Sequence, residues 1–295
     1  MTVLFRGSMT ALITPMHPDG RIDDEAFRSL IDCQIAAGTD GLIPVGTTGE
    51  SPALTHDEHR RVIDLCLDAA QGRVPVIAGT GSNNTAEAVA LTQYAAITGA
   101  DAALVVTPYY NKPTQEGLYR HFRAIAAATD IPILIYNIPG RSVVDMTVET
   151  MGRLARECPT IRGVKDATND LARPLATRLA LGPDFCQLSG EDATIGAFLA
   201  QGGHGCISVT ANVAPALCAD LHDAWAARDW ETFTALRDQL MPLHQALFCE
   251  SSPGPVKYAA SLLGICGASS RLPLVAIAPE SEARVRRALV AVGLL

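Results

Sequence analysis

The sequence lacks the features that mark nucleic-acid-binding, membrane and secreted proteins. Its formal net charge is −8 and it has no basic patch interleaved with aromatic residues, so no nucleic-acid partner is expected. No apolar run is long enough to cross a bilayer, so no membrane partner is expected either. The stretch from Met1 to Met9 has no hydrophobic signal-peptide core, and no Arg- and Ser-rich transit peptide is seen. We therefore expect a cytoplasmic protein.

Metal and nucleotide motifs are also missing. His56 and His59 share a helical face, but they do not form the H-E-x-x-H pattern of zinc enzymes, and no third ligand accompanies them. The glycine-rich segment 79–84 lacks the Gly-Lys-Ser/Thr of a phosphate-binding loop. No G-x-G-x-x-G follows the first apolar run. We expect neither a metal nor an organic cofactor.

The eight cysteines include no C-x-x-C pair. They occur singly within apolar segments, and this pattern predicts reduced, packed thiols instead of disulfides. No acid–base partner can be assigned to any of them, so a catalytic thiol is not favoured.

Short apolar runs alternate with amphipathic helical segments along the chain. Each run is nearly continuous in apolar residues and is bounded by Gly, Pro or Asp, as expected for parallel strands buried on both faces. Eight such strands separated by helices predict an α/β fold, the (β/α)8 TIM barrel. A doubly wound open sheet is the alternative, but its usual dinucleotide-binding fingerprint is missing. The eight runs are 9–14, 41–45, 74–78, 102–107, 131–137, 161–164, 185–188 and 205–209.

The chain after Pro215 has no further strand pattern. Helical periodicity instead covers three stretches, 230–248, 255–263 and 281–295. These stretches are too few to form a second core. We therefore predict a catalytic barrel over 1–225 and a C-terminal helical extension over 226–295 that packs on it.

Lys165 closes the sixth apolar run. Burying an ammonium group is costly unless the group is paired or neutralised. An amine removed from water loses proton affinity and becomes a nucleophile toward ketones. A solvated lysine just past the strand end is the alternative, and this segment alone does not decide between the two.

Reactive groups of a TIM barrel gather at the carboxyl ends of its strands. After the second run the sequence places two hydroxyl groups, Thr47 and Thr48, between glycines. Such a turn suits the binding of a carboxylate or the transfer of a proton, although an ordinary glycine-rich turn has the same composition. Tyr109 and Tyr110 follow the fourth run. Either one phenol reaches a cavity or both pack in the core.

Tyr136 lies near the end of the fifth run, and Arg141 follows it. The phenol can exchange a proton with a reacting oxygen, and the guanidinium is a planar fork for a carboxylate. A solvated loop arginine is the alternative for Arg141. Together the strand ends suit Schiff-base chemistry on a small anionic keto acid, in which Lys165 forms an imine and the hydroxyl groups transfer protons.

Several motifs resemble the dihydrodipicolinate synthase/N-acetylneuraminate lyase family. The resemblance extends from about Gly7 to the C-terminus, with the motifs in the family's order and spacing. It implies a (β/α)8 barrel enzyme that binds pyruvate through a lysine imine. The motifs are Gly46-Thr47-Thr48-Gly49-Glu50-Ser51, Thr107-Pro108-Tyr109-Tyr110-Asn111, Tyr136-Asn137-Ile138-Pro139, Gly163-Val164-Lys165-Asp166-Ala167-Thr168 and Gly202-Gly203-His204-Gly205.

Arg141 favours the synthase members of this family, which condense pyruvate with L-aspartate 4-semialdehyde in lysine and diaminopimelate biosynthesis. In those members an arginine at this position binds the carboxylate of the aldehyde, whereas the sialic-acid lyases have a non-basic loop. Some residues depart from the family's common pattern: Ser142 replaces the usual threonine, Glu191 the usual aspartate and Asn169 the usual glycine. The longer side chain of Glu191 would reshape the floor of the pocket.

The resemblance implies a role for each residue of the site. Lys165 is the imine-forming residue, and the proton relay consists of Thr48, Tyr136 and Tyr110, with Tyr110 reaching into a neighbouring subunit's site. Thr47 holds the pyruvate carboxylate, and Gly190 and Ile207 line the pocket through backbone atoms. Family members are homo-oligomers, usually tetramers.

An effector site for L-lysine at the subunit interface is also implied by the resemblance. The matching positions are His56, Asn83, Glu87 and Tyr110. A carboxylate such as that of Glu87 would pair with the ammonium group of the ligand. A solvated helix face is the alternative for Glu87.

Two other functions stay open. Another pyruvate-dependent aldolase or dehydratase of the same family would act on a sugar-derived 2-keto acid, and Arg141 argues against this. A barrel that senses a keto acid without turnover would not need the complete proton relay.

Overall fold

Residues 3–295 are described by the structure, a computed structural model. Each of the eight predicted strands is confirmed, with bounds that differ by a few residues. The strands form one sheet in the order β2-β1-β8-β7-β6-β5-β4-β3, and the fold is the predicted (β/α)8 TIM barrel with C-terminal helices. The strands are β1 Gly7–Ala11, β2 Gly41–Ile43, β3 Ile77–Gly79, β4 Ala102–Val106, β5 Ile133–Asn137, β6 Ile161–Asp166, β7 Cys186–Ser189 and β8 Gly205–Ser208.

Helices separate the strands, and their apolar stripes supply the buried faces. Phe27, Leu30 and Ile31 of α1 are buried, as their spacing predicts. Helix α2 begins with a capping box, in which the Thr55 side chain accepts a bond from the Glu58 N–H and the Glu58 carboxylate accepts one from the Thr55 N–H. The helices are α1 Asp24–Ala36, α2 His56–Ala70, α3 Thr85–Thr98, α4 Gln115–Ala126, α5 Pro139–Ser142, α6 Val148–Glu157, α7 Arg173–Leu181, α8 Ile195–Ala200, α9 Pro215–Ala227, α10 Trp230–Ala246, α11 Gly254–Leu262 and α12 Pro279–Ala291. Short 3₁₀ helices lie at Ser51–Ala53, Asp192–Thr194 and Thr210–Asn212.

The chain is divided into two compact units. The first unit comprises Val76–Ile207 with residues 3–6, and it holds β3 to β7 and most of β8. Parallel pairing in consecutive order joins its strands, and register places Tyr136 of β5 opposite Lys165 of β6.

The second unit comprises Gly7–Pro75 and Ser208–Leu295. It holds the parallel pair β1 and β2 together with α1, α2 and α9 to α12. Four helices follow residue 214, so the prediction of three helical stretches was wrong by one, because α9 was not recognised. The predicted boundary between residues 225 and 226 stays a prediction.

The cysteines are free thiols, as predicted. Five of them are buried, but Cys33 is exposed, so the prediction of packed thiols was wrong for this residue. Cys33 lies on α1 beside the buried stripe and faces away from it. Across residues 3–295, no helix combines the length and apolarity needed to span a bilayer.

Candidate active site

Lys165 lies in β6 with only 6% of its surface exposed, so the solvated-lysine alternative does not hold. Parallel pairing sets Tyr136 beside it on β5. The Lys165 Nζ lies over the Tyr136 ring, 4.3 Å from the ring centroid. A cation in this position is attracted by the negative face of the ring. The first unit therefore brings together an amine and a phenol at the ends of neighbouring strands.

Gly190 leaves room for the lysine side chain. It follows β7, and its N–H donates to the Asp166 carbonyl over 2.6 Å. A Cβ added here would lie 3.2 Å from Lys165 Cε and 2.7 Å from Ala167 Cβ. A larger residue would therefore overlap Ala167 and crowd the lysine side chain. The pocket-lining position predicted for Gly190 lies against Lys165.

The carboxyl group of Glu191 interacts electrostatically with the same lysine. Burial raises the pKa of the Glu191 carboxyl, and the charge of Asp192 acts in the same direction. The cations Lys165 and Arg141 oppose this shift, as does a hydrogen bond from Asn169. Glu191 therefore supplies a carboxyl group whose charge interacts with both Lys165 and Arg141.

Arg141 is exposed and lies on the one-turn helix α5. The buried Ser142 beside it anchors this turn. Its Oγ lies 2.9 Å from the carbonyl oxygens of both Ile138 and Val144, which share its one hydroxyl proton, and it accepts a bond from Thr107 Oγ1 over 3.2 Å. The serine that departs from the family pattern is thus fully engaged with its surroundings. The backbone under Arg141 is held while its side chain stays exposed.

Thr47 and Thr48 lie in the second unit, in a tight turn after β2. The Gly49 N–H donates to the Gly46 carbonyl and the Glu50 N–H to the Thr47 carbonyl, both over 3.1 Å. Thr48 is buried, whereas Thr47 is half-buried. The turn is therefore compact and presents two hydroxyl groups of different exposure.

Glu50 ends this turn and pairs with a residue that sequence reasoning did not connect to it. Its side chain is fully buried and forms an ion pair with Lys257 of α11, which is also fully buried. The Arg271 N–H donates to the Glu50 Oε2 over 3.0 Å. Burial lowers the pKa of Lys257, and the charge of Glu50 opposes this shift. The C-terminal helices thus hold the hydroxyl turn in place.

Tyr110 is 90% exposed and has a positive φ of 69°, so the interpretation that both tyrosines pack in the core was wrong. The loop that carries it is joined to the loop after β3. Asn83 Nδ2 donates to the Tyr109 carbonyl over 3.2 Å, and Asn111 Nδ2 donates to the Asn83 carbonyl over 2.9 Å. The first unit therefore brings the predicted effector residue Asn83 close to Tyr110.

The other predicted effector residues have defined surroundings. Glu87 accepts a hydrogen bond from Ser82 Oγ over 2.8 Å. His56 is the exposed first residue of α2, in the second unit. Ile207 of β8, predicted to line the pocket, is fully buried in the first unit.

Within residues 3–295, no group of three or more His, Cys, Asp or Glu side chains is arranged to hold a metal ion. His204 is used structurally, because its Nδ1 accepts a hydrogen bond from the Gln187 N–H over 3.0 Å.

Comparison with known proteins places this arrangement in a family. A sequence model of the dihydrodipicolinate synthetase family matches residues 4–292. A 4-hydroxy-tetrahydrodipicolinate synthase from Rhodospirillum centenum is 66% identical over 292 residues, which are 99% of this chain and 100% of the relative.

Solved structures agree with this match. A dihydrodipicolinate synthase from Acinetobacter baumannii, chloride-inhibited and complexed with pyruvate, is 44% identical and has a TM-score of 0.96 over 99% of this chain and 100% of its own. The enzyme from Cyanidioschyzon merolae with lysine bound is 39% identical and has a TM-score of 0.96, covering 100% of both chains. This chain belongs to the dihydrodipicolinate synthetase family.

Proposed function

We propose that this chain is a lyase that condenses pyruvate with L-aspartate 4-semialdehyde to give 4-hydroxy-tetrahydrodipicolinate, in lysine and diaminopimelate biosynthesis. The observation that carries the proposal is the buried amine of Lys165 over the Tyr136 ring. Family membership and the 66% identical relative support the same reaction.

Lys165 starts the reaction. Its amine attacks C2 of pyruvate, the carbonyl oxygen leaves as water, and a protonated imine forms. The imine withdraws electrons from the neighbouring methyl carbon, which loses a proton to give an enamine. The enamine carbon then attacks the aldehyde carbon of the second substrate, and the aldehyde oxygen takes up a proton.

Protons move through three hydroxyl groups. Tyr136 lies beside Lys165 in register and serves the carbinolamine and imine steps. Thr48 and Tyr110 extend the relay. The 90% exposure of Tyr110 supports its use in a neighbouring subunit's site, and a homotetramer is the assembly we propose.

Two anionic groups must be held. Thr47 and the backbone near Gly190 and Ile207 bind the pyruvate carboxylate, and Arg141 binds the carboxylate of the aldehyde substrate. Release follows when the amine of the second substrate attacks the imine carbon. The C–N bond to Lys165 then breaks, the ring closes, and free lysine is regenerated.

We further propose that L-lysine regulates the enzyme at His56, Asn83, Glu87 and Tyr110. A carboxylate at Glu87 suits the ammonium group of the effector. The lysine-bound enzyme from Cyanidioschyzon merolae supports an effector of this kind.

The organisation we propose is a catalytic barrel over 1–225 with a helical extension over 226–295, acting in the cytoplasm. The free thiols are in keeping with a reducing compartment.

A substrate comparison tests the proposal. The purified enzyme is given pyruvate with L-aspartate 4-semialdehyde and, in parallel, a series of sugar-derived 2-keto acids. We expect turnover with the aldehyde and pyruvate. Turnover of the sugar acids alone would assign the chain to the aldolase or dehydratase branch, and binding without turnover of any substrate would indicate a sensor.

A further inference from the structure

Arg173 is a buried cation at the first position of α7, only 8% exposed. Its guanidinium contacts three acceptors in the first unit. The Nε lies 3.0 Å from Asp166 Oδ2, the Nη1 lies 3.2 Å from Asp145 Oδ1, and the Nη2 donates to the Met146 carbonyl. A planar fork with five donors is the side chain best suited to join several acceptors.

The first acceptor, Asp166, is the last residue of β6, the strand that carries the imine-forming lysine. Asp166 follows Lys165 directly and is itself buried. Its other oxygen, Oδ1, accepts bonds from the Thr168 N–H over 2.9 Å and from Thr168 Oγ1 over 2.6 Å. Asp166 is therefore held in one orientation, and Arg173 is tied through it to the end of β6.

The other two acceptors belong to the segment that follows Arg141. Asn137 also binds this segment, since its Nδ2 donates to Asp145 Oδ1 over 2.7 Å and its Oδ1 accepts from the Met146 N–H over 3.0 Å. Asn137 pairs in register with Asp166. Residues 145–146 are thus clamped to the ends of both strands that carry Tyr136 and Lys165.

Arg141 lies between this clamp and the chain's exit from β5. Ser142 holds the middle of the segment, and Arg173 with Asn137 holds its far end. Because the Arg141 side chain is exposed, its direction depends on how firmly the backbone beneath it is fixed.

We propose that Arg173 is a positioning residue that fixes the segment carrying Arg141 over the ends of β5 and β6, and so tunes the affinity for the second substrate. This inference rests on the proposed function, in which Arg141 binds the carboxylate of the aldehyde.

Steady-state kinetics of three variants test the inference. Arg173→Met removes the contacts of Arg173 to Asp166, Asp145 and Met146 and leaves the Asn137 bonds in place. Asp145→Ala removes the Arg173 contact at Asp145 Oδ1 together with the hydrogen bond from Asn137. It leaves the buried pair of Arg173 with Asp166 and the bond from Arg173 to the Met146 carbonyl in place, so it loosens the Arg141 segment even if Arg173→Met does not fold. Arg178→Met, an exposed arginine on the same helix, is the matched control.

Both test variants are expected to raise KM for the aldehyde about tenfold while KM for pyruvate stays within about twofold of wild type. Borohydride trapping with pyruvate counts the active sites, so a loss of folded protein lowers that count and kcat without raising KM for the aldehyde. Arg173→Lys, which keeps the charge and loses the fork, should fall between wild type and Arg173→Met.

The inference would be overturned if KM for the aldehyde were unchanged in the folded variants, or if KM increased equally for both substrates. The proposed function would still stand in that case, provided that the wild-type enzyme turns over the two substrates. Failure of the wild-type enzyme to condense the two substrates would instead remove the proposed function.

Discussion

Lys257→Met is expected to destabilise the protein far more than an ordinary lysine substitution. Lys257 and Glu50 form an ion pair in which neither side chain is exposed. Methionine fills a similar volume but leaves the Glu50 carboxylate buried without its counter-ion. The hydrogen bond from the Arg271 N–H to Glu50, 3.0 Å long, stays in place and compensates only part of this charge.

The expected loss follows from the burial of the pair. Removing one partner of a buried ion pair costs about 3–5 kcal/mol in the free energy of unfolding. For a urea m value of about 3 kcal/mol per molar, the unfolding midpoint falls by roughly 1–1.7 M. The double variant Lys257→Met with Glu50→Gln contains no uncompensated charge, so it should regain about 2 kcal/mol or more of the loss.

Urea unfolding followed by circular dichroism, at one fixed protein concentration, measures these differences. Lys112→Met is the matched control, because Lys112 is exposed and its removal should cost no more than about 0.5 kcal/mol. A loss below about 1 kcal/mol for Lys257→Met, or a double variant that loses the sum of the two single losses, would refute this reasoning.

Three further predictions follow from the first unit. Gly190→Ala should slow imine formation with pyruvate at least about tenfold, because the new methyl group would lie 2.7 Å from Ala167 Cβ and 3.2 Å from Lys165 Cε. Borohydride trapping against time measures this rate, and an unchanged rate would contradict the packing described for this glycine. Arg141→Ala should raise KM for the aldehyde about a hundredfold with little change for pyruvate, and an equal loss for both substrates would deny Arg141 its role. Burial lowers the pKa of His121 to about 4 from its ordinary 6.5, so the unfolded chain binds a proton that the folded chain does not. Stability should therefore fall as the pH drops from 6.5 to about 4, and His121→Gln should flatten that slope in urea titrations across this range; the same slope in the variant would assign the effect to other groups.

The barrel was predictable because it depends on a local pattern. Apolar runs bounded by glycine, proline or aspartate indicate buried parallel strands wherever they occur. Lys165 stood out because it closes such a run. The bounds were less predictable: β1 begins at Gly7, two residues before its predicted start, and β3 begins at Ile77, three residues after its predicted start. Backbone pairing decides strand ends, and composition does not reveal it.

The partners of buried charges could not be predicted, because they are distant in sequence. Glu50 and Lys257 are separated by 207 residues, and only the packing of α11 brings them together. Arg173 reaches Met146 across 27 residues for the same reason. A buried charge signals that a partner exists, but the pattern around it does not identify that partner.

Local pattern also failed at exposed residues. Tyr110 is a large aromatic residue of a type often found in the core, yet it is 90% exposed on a loop and has a positive φ. Cys33 shares a helix with buried Leu30 and Ile31 but lies off their stripe. In both cases the direction of one side chain decides the outcome, and that direction depends on backbone geometry.

Trapping with pyruvate and borohydride, followed by peptide mapping, tests the central claim most directly. The chain has three lysines, and the structure gives each a different environment: Lys112 is exposed, Lys257 is buried in an ion pair, and Lys165 is buried over the Tyr136 ring. We predict one reduced pyruvate adduct per chain, located on Lys165. An adduct on Lys112 or Lys257, or no adduct at all, would contradict the account.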